Sequence, residues 1–173
     1  MKKILSVLAV LIVFSFTAFA AYNQPSITEE QAKQIALTSA GVQENQCSYM
    51  KVKLDYDDGV LKYEVKFQSG HVEYEYDIDA SNGMVLSMDK DFNGHQIPTV
   101  QNQSKIISAE DALNAAIKHA GVLKNSVTYS KVKQENDDGR VLYEVKFYVG
   151  RTGYEYEIDA YTSAVIKYEV DVD

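Results

Sequence analysis

Three histidines, one cysteine and a dense set of carboxylates are the side chains of this 173-residue sequence to weigh first for chemistry. His71, His95 and His119 lie far apart, at no metal-ligand spacing, and no His-Glu-x-x-His is present to support zinc hydrolysis. Cys47 is alone, so no disulfide closes within the chain. No glycine-rich nucleotide loop appears, and no nucleophile, base and orienting group can be named together. The chain is therefore expected to lack catalytic, cofactor and metal residues and not to be an enzyme. The carboxylates are more suggestive. Glu73, Glu75, Asp77 and Asp79 alternate along one segment, and Glu155, Glu157 and Asp159 along another, so each set shares one strand face. Calcium favours oxygen ligands, but Asp55 to Val65 fails the EF-hand order, having no glutamate at its last position. Ligands on a flat sheet also fail to converge. A solvated face with Lys62, Glu64 and Lys66 as cross-strand partners is the expected arrangement, with calcium binding the weaker alternative.

These residues belong to a duplication. Residues 27–89 recur without a gap as 107–169, at an offset of 80. Ala40-Gly41-Val42 matches Ala120-Gly121-Val122, and Tyr63-Glu64-Val65-Lys66-Phe67 matches Tyr143-Glu144-Val145-Lys146-Phe147. Roughly two positions in five are identical, a tandem of one supersecondary unit. The comparison puts His71 opposite Arg151 and His119 opposite Ser39, as at variable surface positions; Cys47 stands opposite Val127, as at a small, shielded apolar one.

Each unit opens with a helix. Thr28 and Gln31 fit a capping box, and Ser108 and Asp111 resemble one. Ala32, Ile35, Ala36 and Ala40 fall on one stripe, as do Ala112, Ala116, Ile117 and Ala120; alanine lets the helix lie close to a sheet. Gly41 and Gly121 supply left-handed C-terminal caps. The period then changes from 3.6 to 2. Strands are predicted around Tyr49–Leu54, over Tyr63–Phe67 and Tyr74–Asp79, and around Met84–Met88, with turns at Asp57-Asp58-Gly59, Gly70 and Asn82-Gly83. The expected fold class is α+β: two repeated units, each one N-terminal helix packed on a three- to four-stranded antiparallel sheet. Residues 90–105, with Asn93-Gly94 and Pro98, read as a linker.

Residues 1–20 stand apart. Lys2 and Lys3 precede an apolar run from Ile4 to Phe19 and a small-x-small site at Ala18-Phe19-Ala20, the pattern of a secretory signal peptide cleaved near Ala20. The mature chain is expected to be secreted or periplasmic, without membrane insertion once the signal is removed. The formal charge is −8; without Lys2 and Lys3, 15 basic residues face 25 acidic ones, giving −10. So acidic a surface argues against nucleic-acid partners.

The unit resembles the PepSY family. Thr28-Glu29-Glu30-Gln31-Ala32 and Ser108-Ala109-Glu110-Asp111-Ala112 match its capped opening, and Tyr63-Glu64-Val65 and Tyr143-Glu144-Val145 its central strand. Its Tyr-x-x-x-Asp-Ala-x-x-Gly-x-Val pattern, loosely followed, closes unit one over Tyr76–Val85, whereas Tyr156-Glu157-Ile158-Asp159-Ala160 is followed by no glycine. The resemblance implies a non-catalytic extracytoplasmic module that binds or restrains a protein partner, a peptidase foremost. With no peptidase motif in the sequence, that partner would be a separate protein. A structural or cation-binding envelope protein is the second reading.

Tyrosines are the expected contact residues. Tyr63, Tyr74, Tyr76 and their repeat equivalents alternate as core positions, whereas Tyr56, Tyr148, Tyr161 and Tyr168 have no tyrosine in the other copy. Such copy-specific aromatics are expected at the surface, where tyrosine favours binding hot spots. Tyr148, Tyr161 and Tyr56 are the candidate partner-binding residues.

Overall fold

The computed structural model describes residues 24–92, 105–137 and 139–172. The expected signal peptide, with its cleavage site near Ala20, and most of the expected linker lie outside the described residues. Helix α1 spans Glu29–Ala40 and α2 spans Ala109–Ala120. Both capping boxes form. Thr28 Oγ1 accepts from the Gln31 amide at 3.2 Å while Gln31 Oε1 accepts from the Thr28 amide at 2.8 Å. Ser108 and Asp111 do the same at 3.1 and 3.2 Å, satisfying amides that the first turn leaves unpaired. Gly41 and Gly121 end the helices at φ 67° and 68°. The buried faces are Ala32, Ala36 and Leu37, and Ala112, Ala116 and Ile117. Leu37 takes the place expected of Ile35, which is only half-buried.

Each unit contributes four strands, the upper end of the expected range. Unit one has β1 Cys47–Asp57, β2 Val60–Ser69, β3 Val72–Asp79 and β4 Val85–Asp91. Unit two has β5 Tyr129–Asp137, β6 Arg140–Val149, β7 Thr152–Asp159 and β8 Val165–Val172. The two sets are not separate sheets. They form one antiparallel sheet in the order β1-β2-β3-β4-β8-β7-β6-β5. At the seam Ser87 pairs with Glu169, Met88 with Tyr168 and Asp89 with Lys167. The strand thus runs on to Asp91, past the expected end of unit one at residue 89.

The seam has a pseudo-twofold axis, because Met88 and Tyr168 are equivalent positions of the repeat. Side chains add to it. Lys90 Nζ donates to the Val165 carbonyl at 3.3 Å, Lys167 lies 3.5 Å from Asp89, and the Arg140 guanidinium sits over the Phe92 ring. Both helices cover the same face, which carries one continuous core of Val65, Phe67, Tyr76, Met88, Tyr168, Tyr156, Phe147 and Val145. Each fully buried aromatic or aliphatic side chain there contributes about 1.5–3 kcal/mol. Joining the sheets hides two inner edges and leaves β1 and β5 as outer edges, where Lys51, Lys53, Lys131 and Lys133 are exposed. Lysine on an edge discourages further strand pairing.

Candidate functional site

Many of the residues shared by both copies are consumed by the fold. Tyr63 Oη donates to the Ile27 carbonyl at 3.2 Å and Tyr143 Oη to the Ile107 carbonyl at 2.8 Å, tying the chain before each helix onto the sheet. Asp79 Oδ1 accepts from the Ser81 amide and hydroxyl at 2.7 and 2.6 Å. Asp159 Oδ1 accepts from the amides of Tyr161 and Thr162 and from the Thr162 hydroxyl, at 2.8–3.0 Å. Each aspartate therefore holds the turn before the last strand of its unit. Ala80 and Ala160 are fully buried beneath these turns. Phe67 stacks on Tyr74 with centroids 4.9 Å apart, and Phe147 on Tyr154 at 4.8 Å.

Among the tyrosines unique to one copy, the structure separates surface from core. Tyr56 is 64 % exposed beside the β1–β2 turn, and Tyr148 is 43 % exposed near the end of β6. Tyr161 is half-buried in the turn after β7. Tyr168 corrects the expectation that copy-specific aromatics lie outside. It is 7 % exposed, stacked on Tyr156 at 5.6 Å, because its equivalent Met88 is buried in the same seam. Tyr148 and Tyr161 do not form one patch. Tyr148 pairs with Gly153 and Leu142 with Asp159, so the two tyrosines lie at opposite ends of the β6–β7 hairpin, on the order of 20 Å apart at 3.3 Å per residue. Tyr148 instead meets Tyr129 across the β5–β6 ladder, centroids 6.1 Å apart, and lies against Gly153. Gly153 inside a strand was the legible signal for that close approach.

The histidines and the cysteine do not assemble. His71 sits exposed at the β2–β3 turn and His95 lies outside the described residues. His119 is solvent-accessible on α2, but one side of its ring packs on Tyr168 with centroids 4.9 Å apart, and Nδ1 is 3.3 Å from the Tyr156 hydroxyl. Loss of hydration there, and then the Lys90 charge, hold its pKa below the ordinary value. Cys47 is half-buried, and desolvation followed by the nearby Glu44 charge pushes its thiol up, opposite to what a reactive thiolate needs. Among the described residues no group of three or more His, Cys, Asp or Glu side chains is placed to hold a metal ion.

What remains is the sheet face that carries no helix. Along β3, β4, β8 and β7 its outward residues include Glu75, Asp77, Asp89, Glu169, Asp171 and Glu155, with Lys167 as the cation among them. On the flanking strands lysines answer the acids, as the alternation predicts: Lys66 lies 2.8 Å from Glu75, Lys62 2.8 Å from Asp77 and Lys146 2.7 Å from Glu155. Burial among the strands, with like charges on Asp89, Asp137 and Glu135, raises the Glu157 pKa against the pull of Lys167. A depression of about 700 Å³ lies over this face beside the β1–β2 turn. No helix among the described residues is long and apolar enough to cross a membrane.

The PepSY family, described as peptidase propeptide and YPEB domain, matches residues 26–89 and again 106–169. The uncharacterised protein Spy1430 of Streptococcus pyogenes is 40 % identical over 60 residues, 35 % of this chain and 46 % of that protein, so the match spans about half of its length. The uncharacterised protein YkoJ of Bacillus subtilis is 28 % identical over 169 residues, covering 91 % of this chain and 88 % of its own. The C-terminal domain of Bacillus megaterium YpeB aligns over 87 % of this chain and 100 % of that domain, at 14 % identity and a TM-score of 0.40, too distant a superposition to transfer anything from.

Proposed function

This chain belongs to the PepSY family, and from that premise we propose that it is an exported, non-catalytic binding module that engages a separate protein, a peptidase foremost, and modulates it. The observation that carries this reading is the disposition of the sheet. Two helices cover one face, while the opposite face and the outer strands β1 and β5 stay open along eight strands. Some side chains common to both copies hold turns and core and others pair on the open face, as Lys66 with Glu75 and Lys146 with Glu155; that face, its rims and the copy-specific Tyr56, Tyr148 and Tyr161 remain for recognition. A preformed sheet lowers the backbone ordering cost of binding a partner. Export rests on the basic, apolar and small-residue order of residues 1–20.

The test is direct. The mature protein, immobilised, is used to capture partners from the culture supernatant and envelope fraction of the producing cells under cross-linking. Each captured peptidase is then assayed on casein with and without stoichiometric module. A changed rate supports the reading. Casein cleavage unaltered for every captured peptidase, or capture of none, overturns the peptidase assignment.

A further inference from the structure

The pseudo-twofold axis at the seam gives every surface feature of one half a counterpart in the other. The depression beside the β1–β2 turn has Val60, Met84 and Val172 among its lining residues. These are 38, 41 and 61 % exposed, unusual for large apolar side chains gathered at one place. At an offset of 80 their counterparts are Arg140, Ala164 and Phe92. There the Arg140 guanidinium lies over the Phe92 ring, its Cζ 5.0 Å from the centroid. One copy of this place is thus occupied by a guanidinium on an apolar surface, and the other presents bare apolar side chains.

The open copy is also short of cations. Eight carboxylates line it against two ammonium groups, Lys62 and Lys167. Lys62 pairs with Asp77 at 2.8 Å and Asp57 at 3.5 Å, and Lys167 reaches Asp89. Asp58, Glu169 and Asp171, also in the lining, make no ion pair among the described residues. At Lys62 the other half has Leu142, so the two halves seat their cations differently, and only the first leaves an apolar rim uncovered.

We propose that this depression docks an extended segment of the partner protein that inserts a basic side chain flanked by an apolar one, in the manner of Arg140 over Phe92 in the second half. Arginine fits best, since its planar guanidinium packs on apolar surface while its five donors reach carboxylates. The volume suits two or three side chains. This rests on the reading of the chain as a partner-binding module and names the chemistry of what it binds.

The probe is a fluorescein-labelled octapeptide alternating arginine and leucine, titrated against the mature protein by anisotropy. Val60→Arg places the equivalent of Arg140 into the depression, and Leu123→Arg adds the same charge at a 72 % exposed site beyond α2. Saturable binding is expected, at least tenfold weaker in Val60→Arg and changed less than twofold in Leu123→Arg. Met84→Ala, a milder change toward the residue of the second half, is expected to weaken binding several-fold. Equal losses in the two arginine variants would mean a general field of the acidic protein and overturn the site, as would an absence of saturable binding. The partner capture described above separates this from the module reading. A partner held equally by wild type and Val60→Arg leaves the module standing and removes the depression from it. No partner, with the peptide results as expected, does the reverse.

Discussion

Met88 and Tyr168 stand directly opposite each other across the β4–β8 ladder, eighty residues apart, each at the place in its own unit that the other holds in the second. A duplicated unit whose last strand pairs with its own counterpart makes an isologous contact within a single chain. The larger side chain fills the seam. Tyr168 stacks on Tyr156 and packs against the His119 ring of α2. Two units of about 60 residues, marginal alone, thereby become one sheet with one core.

Helix α2 approaches the sheet through Ala112 and Ala116, both fully buried. Ala116→Leu adds volume where neighbours leave none and is expected to cost roughly 1–3 kcal/mol. Urea denaturation followed by far-ultraviolet circular dichroism checks it; an unchanged midpoint would place that face away from the sheet.

Ser163 has φ 61°, a left-handed conformation that its counterpart Gly83 adopts at 80°. The motif glycine missing from unit two therefore leaves strain behind, in a turn that Asp159 holds as Asp79 holds its counterpart. Ser163→Gly is expected to stabilise by about 0.5–1 kcal/mol, the relief of strain exceeding the added freedom of the unfolded chain. A lower thermal midpoint would contradict this.

His119 predicts a pH dependence of definite sign. Its ordinary pKa is 6.5, and in the folded protein it is lower, through desolvation and then Lys90. Well above pH 6.5 both states are neutral. As pH falls below 6.5 the unfolded chain binds the proton first, so stability declines until the folded-state pKa is passed. Burial raises the pKa of the Tyr156 and Tyr168 hydroxyls, which stay neutral throughout. Replacing His119 with serine, the residue at position 39, should flatten the change in urea midpoint between pH 7 and pH 5. An unchanged slope would assign that dependence to the carboxylates alone.

Much of one unit is legible in the sequence because its signals are local. Thr28 and Gln31, Gly41, and the Asp58-Gly59 turn with φ 47° and 84° each specify backbone through their own chemistry. The sheet's continuity is not local. Alternation tells which face Met88 and Tyr168 share but not which strand lies beside them, so Tyr168 reads as a surface aromatic until its neighbour is known. The same holds for the depression, whose Val60 and Val172 come from different units. Only comparison of the halves in space shows that Arg140 and Phe92 close the equivalent place.

The continuous sheet depends on the register of that seam. It sets Asp89 opposite Lys167 on the open face, while Glu169 stands opposite Ser87, two residues off. With Cys47 replaced by serine, Asp89→Cys/Lys167→Cys and Asp89→Cys/Glu169→Cys are oxidised under mild conditions, and free thiols are counted by mass spectrometry. Directly opposed strand positions lie within the 4.4–6.8 Å Cα separation that a disulfide spans, and the diagonal pair exceeds it. The continuous sheet predicts near-complete closure of 89–167 and a largely reduced 89–169. A reduced 89–167 pair, or equal closure of both, would contradict it.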